Sequence, residues 1–256
     1  MTGAGDRTLI EYVRTVLTTP SPLERYELSP TRRAVNGDVV LLELGPAGER
    51  RRHVIALGAV TAEETFARAA AFYGDERVDS VELVKESAVA LEADMLQRGW
   101  QMTEEEPALV LPGVPDMLPA PPHGLTVRRV DDDAGLEDFW RVSRTGRRYV
   151  PSVEAARDPE VALLVGYVGT EAVATARVSG HGEVSDLMGV VTLPAFRRRG
   201  YGLAMTWAAV GAARDMACGA YLLTATELGY PVYVKMGFVR VCTLRTYQPG
   251  EVAGGT

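Results

Sequence analysis

The chain has 256 residues, 46% hydrophobic and 24% charged, which excludes wholesale disorder and fits two modest domains better than one. Its net charge of -7 argues against a general binder of nucleic acid or of anionic membrane. Two cysteines, Cys218 and Cys242, cannot build a disulfide framework or a four-thiolate metal site, so a reduced, cytoplasmic protein is the expectation.

The opening stretch MTGAGDRTLIEYVRTVLTTP carries Arg and Glu inside its apolar run and does not read as a signal peptide. Strands follow at Val39–Glu43 and His53–Leu57 around a turn at Gly45–Gly48. Thr61–Tyr73 is a helix with Thr61 as its cap, Val78–Val84 a strand, and Ser87–Arg98 a helix stopped by Gly99. Glu104, Glu105 and Glu106 read as a solvated turn before a strand at Ala108–Leu111. The segment Leu111–Gly124 then carries Pro112, Pro115, Pro119, Pro121 and Pro122. Prolines lack the backbone donor, so this is a semi-rigid linker. The expected division is a domain over 1–112, a linker over 113–123, a second domain over 124–249 and a frayed tail over 250–256.

The second half has the clearer rhythm. Leu125–Val130 is a strand, and Ala134–Arg144 a helix entered through Asp131, Asp132 and Asp133, whose charges suit a helix start. Val161–Val168 and Ala172–Val178 form a hairpin across Gly169-Thr170-Glu171. After a strand at Val184–Leu193 comes a long helix from about Arg198 to Ala217, with Leu203, Trp207 and Val210 on one face. Tyr221–Ala225 is a strand, Pro231–Met236 a short helix ended by Gly237, and Phe238–Tyr247 a closing strand. The whole is an α/β (α+β) protein with a mixed, mostly antiparallel sheet flanked by helices. The first half repeats the succession strand, strand, helix, strand, helix, Gly-aromatic, strand, which reads either as a diverged internal duplication or as a generic α/β domain.

The chemistry concentrates in Val190–Gly202, VVTLPAFRRRGYG, where a strand runs directly into a helix. Gly200 and Gly202 let a ligand approach the backbone, and the helix start presents unpaired N–H groups and a positive dipole end. Arg197, Arg198 and Arg199 add charge suited to phosphate. About thirty residues on stands ELGYPVYVKMGFVRV. The pairing of R-x-x-G-x-G with a later Y-x-x-x-G-F resembles the GCN5-related N-acetyltransferase (GNAT) superfamily over Leu125–Tyr247, most specifically at Val190–Leu203 and Thr224–Phe238.

That resemblance implies acetyl-CoA as co-substrate, with coenzyme A as product. Val190, Val191 and Thr192 would hold its pantetheine arm, and the amides of Arg197, Arg198, Arg199, Gly200, Tyr201, Gly202 and Leu203 its pyrophosphate. Tyr233 would stand near the thioester sulfur. Many members have Gly directly after the first loop Arg, where this chain has Arg198; an unusual φ there would set its Cβ against cofactor affinity.

Acetyl transfer to an amine needs a bound thioester, a neutral amine, an oxyanion donor and an acid for the thiolate. A backbone N–H near Val191 can supply the donor and Tyr233 the acid. Glu183, Asp186, His181 and Glu227 are candidate bases, with Glu227 first, and a water chain is the alternative. His53, His123 and His181 lack metal-ligand spacing, and no metal is expected. Cys218 reads as core. Trp140 and Tyr149 fall where the family's acceptor groove lies, or serve as a core and a surface aromatic.

The first half offers Glu63 and Glu64 where the second offers arginines, and Met95 where the second has Tyr233, so it reads as a GNAT-like domain without its own cofactor site. The expected function is acetyl-CoA-dependent N-acetyl transfer to a primary amine of a small molecule or a protein. The other reading is a non-catalytic acyl-CoA-binding sensor or regulatory module. No nucleic acid or membrane partner is expected, and the protein is read as a monomer or homodimer.

Overall fold

The computed structural model describes residues 4–26, 32–45, 50–74, 77–113, 117–144 and 152–250. It divides into two compact units that interleave in sequence: unit 1 is Met1–Leu28 with Leu109–Arg240, and unit 2 is Ser29–Ala108 with Val241–Thr256. The chain therefore does not divide once at the proline segment. Its first helix joins unit 1, and its last strand, after its first two residues, joins unit 2.

In unit 2, strands β1 (Arg32–Asn36), β2 (Val39–Leu44) and β3 (Arg51–Ala56) form an antiparallel meander. Helix α2 (Ala62–Tyr73) leads from β3 to β4 (Ser80–Val84), which lies parallel to β3. Helix α3 (Val89–Gln97) leads on to β5 (Trp100–Leu111). The closing strand β11 (Val239–Pro249) pairs antiparallel with β4 through Leu244–Tyr247. Val54, Val81, Leu83, Leu91, Met95 and Tyr247 share the core against the two helices.

The run Glu104–Glu106 lies within β5 and is not the turn its charge suggests. Partners offset that charge: Glu105 pairs with Arg245 at 2.5 Å and with Lys85 at 3.8 Å. Strand β1 carries two arginines and only two apolar residues, too weak an alternation to read from sequence.

Unit 1 holds α1 (Ala4–Thr18), the 3₁₀ turn Pro22–Tyr26, and the end of β5 beside β10 (Ala220–Thr224). Its sheet continues through β9 (Val184–Thr192), β8 (Glu171–His181), β7 (Val161–Val168) and β6 (Leu125–Arg129). All neighbours from β6 to β9 are antiparallel, and β9 and β10 are parallel. A parallel pair requires a crossover, which α6 (Tyr201–Asp215) provides. On one face Met205, Ala209 and Ala213 of α6 pack on Val178, Leu187, Tyr221 and Leu223. Their approach is close enough that a Cβ at Gly166 would lie 2.9 Å from Met205 Sδ. On the other face Leu136, Phe139 and Val142 of α4 (Asp133–Ser143), with Val153 of α5 (Val153–Ala156), pack on Leu163 and Val165. Asp132 caps α4 by accepting from Gly135 N at 2.7 Å. Helix α7 (Tyr230–Lys235) and the first residues of β11 complete the unit.

The long helix begins at Tyr201, not near Arg198, because Arg198 (φ 64°) and Gly200 (φ 79°) both adopt left-handed backbone. Its buried face runs through Met205, Thr206, Ala209, Val210 and Ala213, while Leu203 is 39% exposed. The expected stripe through Leu203 is thus shifted: the buried face is centred on Met205, Ala209 and Ala213, and Leu203 lies at its edge. Cys218 is buried, and burial pushes its thiol upward. Among the described residues no helix is long and apolar enough to cross a membrane.

Candidate active site

β9 and β10 pair only through Val184–Asp186 and Ala220–Leu222. Beyond Asp186 the remaining residues of β9, Leu187–Thr192, run on without a partner on β10. A split between parallel strands leaves backbone groups on its edge to hydrogen-bond an inserted chain. On its other edge β9 stays paired with β8, where Thr175 faces Val191 and Arg177 faces Met188. Ala176 therefore opposes both Gly189 and Val190, a β-bulge made possible by left-handed Gly189 (φ 59°). Thr175 Oγ1 donates to Gly189 O at 3.2 Å and holds the bulge.

After Thr192 the backbone passes through the 3₁₀ turn Pro194–Phe196 to Gly200, the N-cap of α6. No side chain caps this helix. Its first N–H groups, on Tyr201, Gly202 and Leu203, have no carbonyl one turn back and point out of the helix end with the positive end of its dipole. Three exposed arginines surround them. Arg197 donates from Nε to Thr192 O at 3.1 Å, and Arg199 donates to Ala195 O at 3.2 Å while its guanidinium lies 5.2 Å from the Phe196 ring centre. Arg198 occupies the left-handed region that favours glycine, at a cost on the order of 1 kcal/mol. An uncapped helix end, a cationic rim and a split strand suit a phosphate-bearing, chain-like molecule.

Tyr233 is brought to the same place by packing. Its ring lies against Gly229, where a Cβ would come within 2.8 Å of Cε2, and is 5.9 Å from the Phe238 ring centre. Only 9% of Tyr233 is exposed. Burial raises its phenol above the ordinary value, and a hydrogen bond with the Thr206 hydroxyl partly offsets this. Thr206 stands one turn along α6 from Gly202, whose carbonyl accepts from Thr206 Oγ1 at 2.9 Å. A Cβ at Gly202 would in turn lie 3.7 Å from Thr192 Oγ1. The chain Thr192–Gly202–Thr206–Tyr233 thus joins strand end, loop and tyrosine. The signal for Thr206 was absent from the motif, because a threonine inside a helix is most often a packing residue.

The candidate bases separate. Glu227 lies on the exposed turn between β10 and α7, outside that chain of contacts. Glu183 is exposed in the β8–β9 turn, where its carbonyl accepts from Gly219 N and Ala220 N. His181 is buried at the end of β8. Asp186 stands at the apex of the split, the last residue paired with β10. Burial pushes its carboxyl up to about 6, against the pull of Arg177. Trp140 lines a cavity of about 480 Å³ between α4 and α5 with Asp132, Asp133, Glu137 and Arg157. No residue of the loop lines that cavity, and Tyr149 lies outside the described residues. Among the described residues no His, Cys, Asp and Glu cluster could hold a metal ion.

The family model described as Acetyltransferase (GNAT) family matches residues 127–238. No curated protein matches the chain. Among solved structures, a GCN5-related N-acetyltransferase from Kribbella flavida is 21% identical, with 100% of this chain and 98% of that chain covered and a TM-score of 0.71. One from Sphaerobacter thermophilus is 17% identical over 85% of this chain and 83% of that chain, with a TM-score of 0.59. A tandem GNAT protein from the clavulanic acid biosynthesis pathway, solved without AcCoA, is 11% identical over 98% of this chain and 95% of that chain, with a TM-score of 0.62. These likenesses show a GNAT-like fold across the chain, and one of the structures it resembles is a tandem GNAT protein.

Proposed function

With residues 127–238 identified as a domain of the acetyltransferase (GNAT) family, we propose that unit 1 transfers an acetyl group from acetyl-CoA to a primary amine. The observation that carries this reading is the split between β9 and β10 opening onto the uncapped start of α6. Acetyl-CoA supplies the activated acetyl group as a thioester. The backbone edge of Val190, Val191 and Thr192 binds its pantetheine arm, and the amides of Arg197–Leu203 bind its pyrophosphate. Held there, acetyl-CoA would meet the amine as an oriented partner in place of a bimolecular encounter.

Two side chains of opposite character serve the reaction, Tyr233 from the α6 side of the sheet and Asp186 from the apex of the split. Tyr233, buried and neutral, holds a proton for the departing sulfur. Asp186, with its carboxyl pushed up to about 6, is ionised at neutral pH yet basic enough to take the proton that the amine loses as it attacks. We assign the base role to Asp186 over Glu227 because it combines partial burial, a raised value and a place at the apex, where Glu227 is exposed. A non-catalytic acyl-CoA sensor would need the loop alone and leaves Tyr233 and Asp186 without a task.

Thiol release from acetyl-CoA in the presence of a panel of primary amines tests the proposal. Tyr233→Phe is expected to lower turnover by roughly two orders of magnitude while acetyl-CoA affinity stays near wild type. Equal turnover in both proteins would leave Tyr233 a packing residue.

A further inference from the structure

The N-terminal helix belongs to unit 1 although a whole second unit separates it in sequence from the rest. α1 packs against β9 and β10, and the 3₁₀ turn Pro22–Tyr26 packs against β8. One face of these strands is taken by α6, where Val178 and Leu187 join its core. α1 and the turn therefore cover the opposite face. Side chains alternate along a strand, so Ser179 and Asp186, the residues next to Val178 and Leu187, project toward α1.

Ser179 and Asp186 stand directly opposite each other across β8 and β9. Ser179 is 2% exposed, and its hydroxyl has no hydrogen-bond partner among the described residues. A buried polar group left unpaired is costly, and such groups are rare in folded proteins. Hydroxyl and carboxylate together suit a ligand bearing several N–H donors. The cover over them is fastened. Asp158, with a side chain 1% exposed, accepts from Arg25 Nη1 at 2.9 Å and from Tyr26 Oη at 2.9 Å. Arg25 also pairs with Glu160, and Leu23 is buried in the core of α4.

We propose that Ser179 and Asp186 form the seat of the acceptor's amine, and that α1 roofs this seat so that only a small free amine reaches it, not a lysine on the surface of a folded protein. The proposal rests on the acyl-transfer reading of unit 1. In the step it describes, the amine nitrogen bonds to the acetyl carbon as the carbon–sulfur bond breaks. The amine enters neutral; as it attacks, its proton goes to Asp186, the thiolate takes the proton of Tyr233, and both groups are reset by proton exchange with solvent. With no amine present, water is the competing nucleophile, and the roof over the seat suppresses its attack.

The test measures thiol release from acetyl-CoA without any amine, in wild type and in two variants that loosen the roof. Val13, 1% exposed on α1, becomes Val13→Asp, which places a charge at a buried position. Arg25→Ala removes the fastening from the exposed side and keeps the fold if Val13→Asp does not. Acetyl-CoA affinity by calorimetry should stay unchanged in both, while amine-independent thiol release rises roughly tenfold. Unchanged hydrolysis in a folded variant would overturn the roof. Acetylation of surface lysines on a folded protein by wild type, read by intact mass, would overturn the acceptor class. Failure of wild type to bind acetyl-CoA would be a different result and would remove the reading beneath the proposal.

Discussion

The two units contain the same crossover, strand to helix to parallel strand, with opposite chemical outcomes. In unit 2, β3 stays paired with β4 from His53 to its last residue, Ala56, so no split opens. In unit 1 the pairing stops at Asp186, six residues before β9 ends. The helix starts differ as sharply. α2 is closed by its own capping box: Thr61 Oγ1 accepts from Glu64 N at 3.2 Å, and the Glu64 carboxylate accepts from Thr61 N at 3.1 Å. Glu63 and Glu64 place negative charge where α6 presents arginines, and Asp38 crowds Gly58 just before the helix. One crossover satisfies its own helix end; the other leaves that end open to a ligand. A repeated architecture therefore diverges in function through a few residues at one junction.

Four changes bear on this contrast, taken in falling order of effect. Gly202→Val brings a branched side chain against Thr192 Oγ1, between the split strand and the helix amides. Acetyl-CoA affinity should fall about a hundredfold, or about 2.7 kcal/mol. Calorimetry on the folded variant reads this directly, and unchanged affinity would place the cofactor elsewhere. Tyr233→Phe comes next, with the turnover loss already described.

Asp186→Asn should cut turnover and abolish the acid limb of the pH profile. Wild-type activity should rise through pH about 6 and level off above it, as the carboxyl ionises. Its folded value lies above the ordinary 3.8, so ionising Asp186 costs the fold as pH rises from about 4 to 6. The asparagine variant should thus be no less stable than wild type above that range. A limb that persists in the variant would assign the base to another group.

Thr61→Ala is the smallest and the most diagnostic of the contrast. It removes the capping box of α2 and should cost about 1 kcal/mol, seen as a lowered midpoint in denaturant. Acetyl-CoA affinity should not change, because that helix end has no cofactor role in this account.

Much of the architecture was legible from periodicity. The hairpin around Gly169, the crossover from Val184 to the long helix, and the Thr61 cap follow from alternation, apolar spacing and capping chemistry. The strand-to-loop-to-tyrosine motif was legible because it is local. What escaped depends on distant partners. Residues 4–18 were read only for what they are not, and their helix gains its place by packing on β9 and β10, far away in sequence. The acidic run within β5 reads as a turn in sequence because Arg245, which offsets Glu105, lies 140 residues away. The apex position of Asp186 depends on where strand pairing ends, and no local pattern records that.

Titration of the full chain with acetyl-CoA tests the central claim most directly. If only the open crossover of unit 1 binds, calorimetry should saturate at one acetyl-CoA per chain, and Gly202→Val should weaken that single site. Two equivalents bound per wild-type chain, or one equivalent retained with undiminished affinity in folded Gly202→Val, would contradict the account.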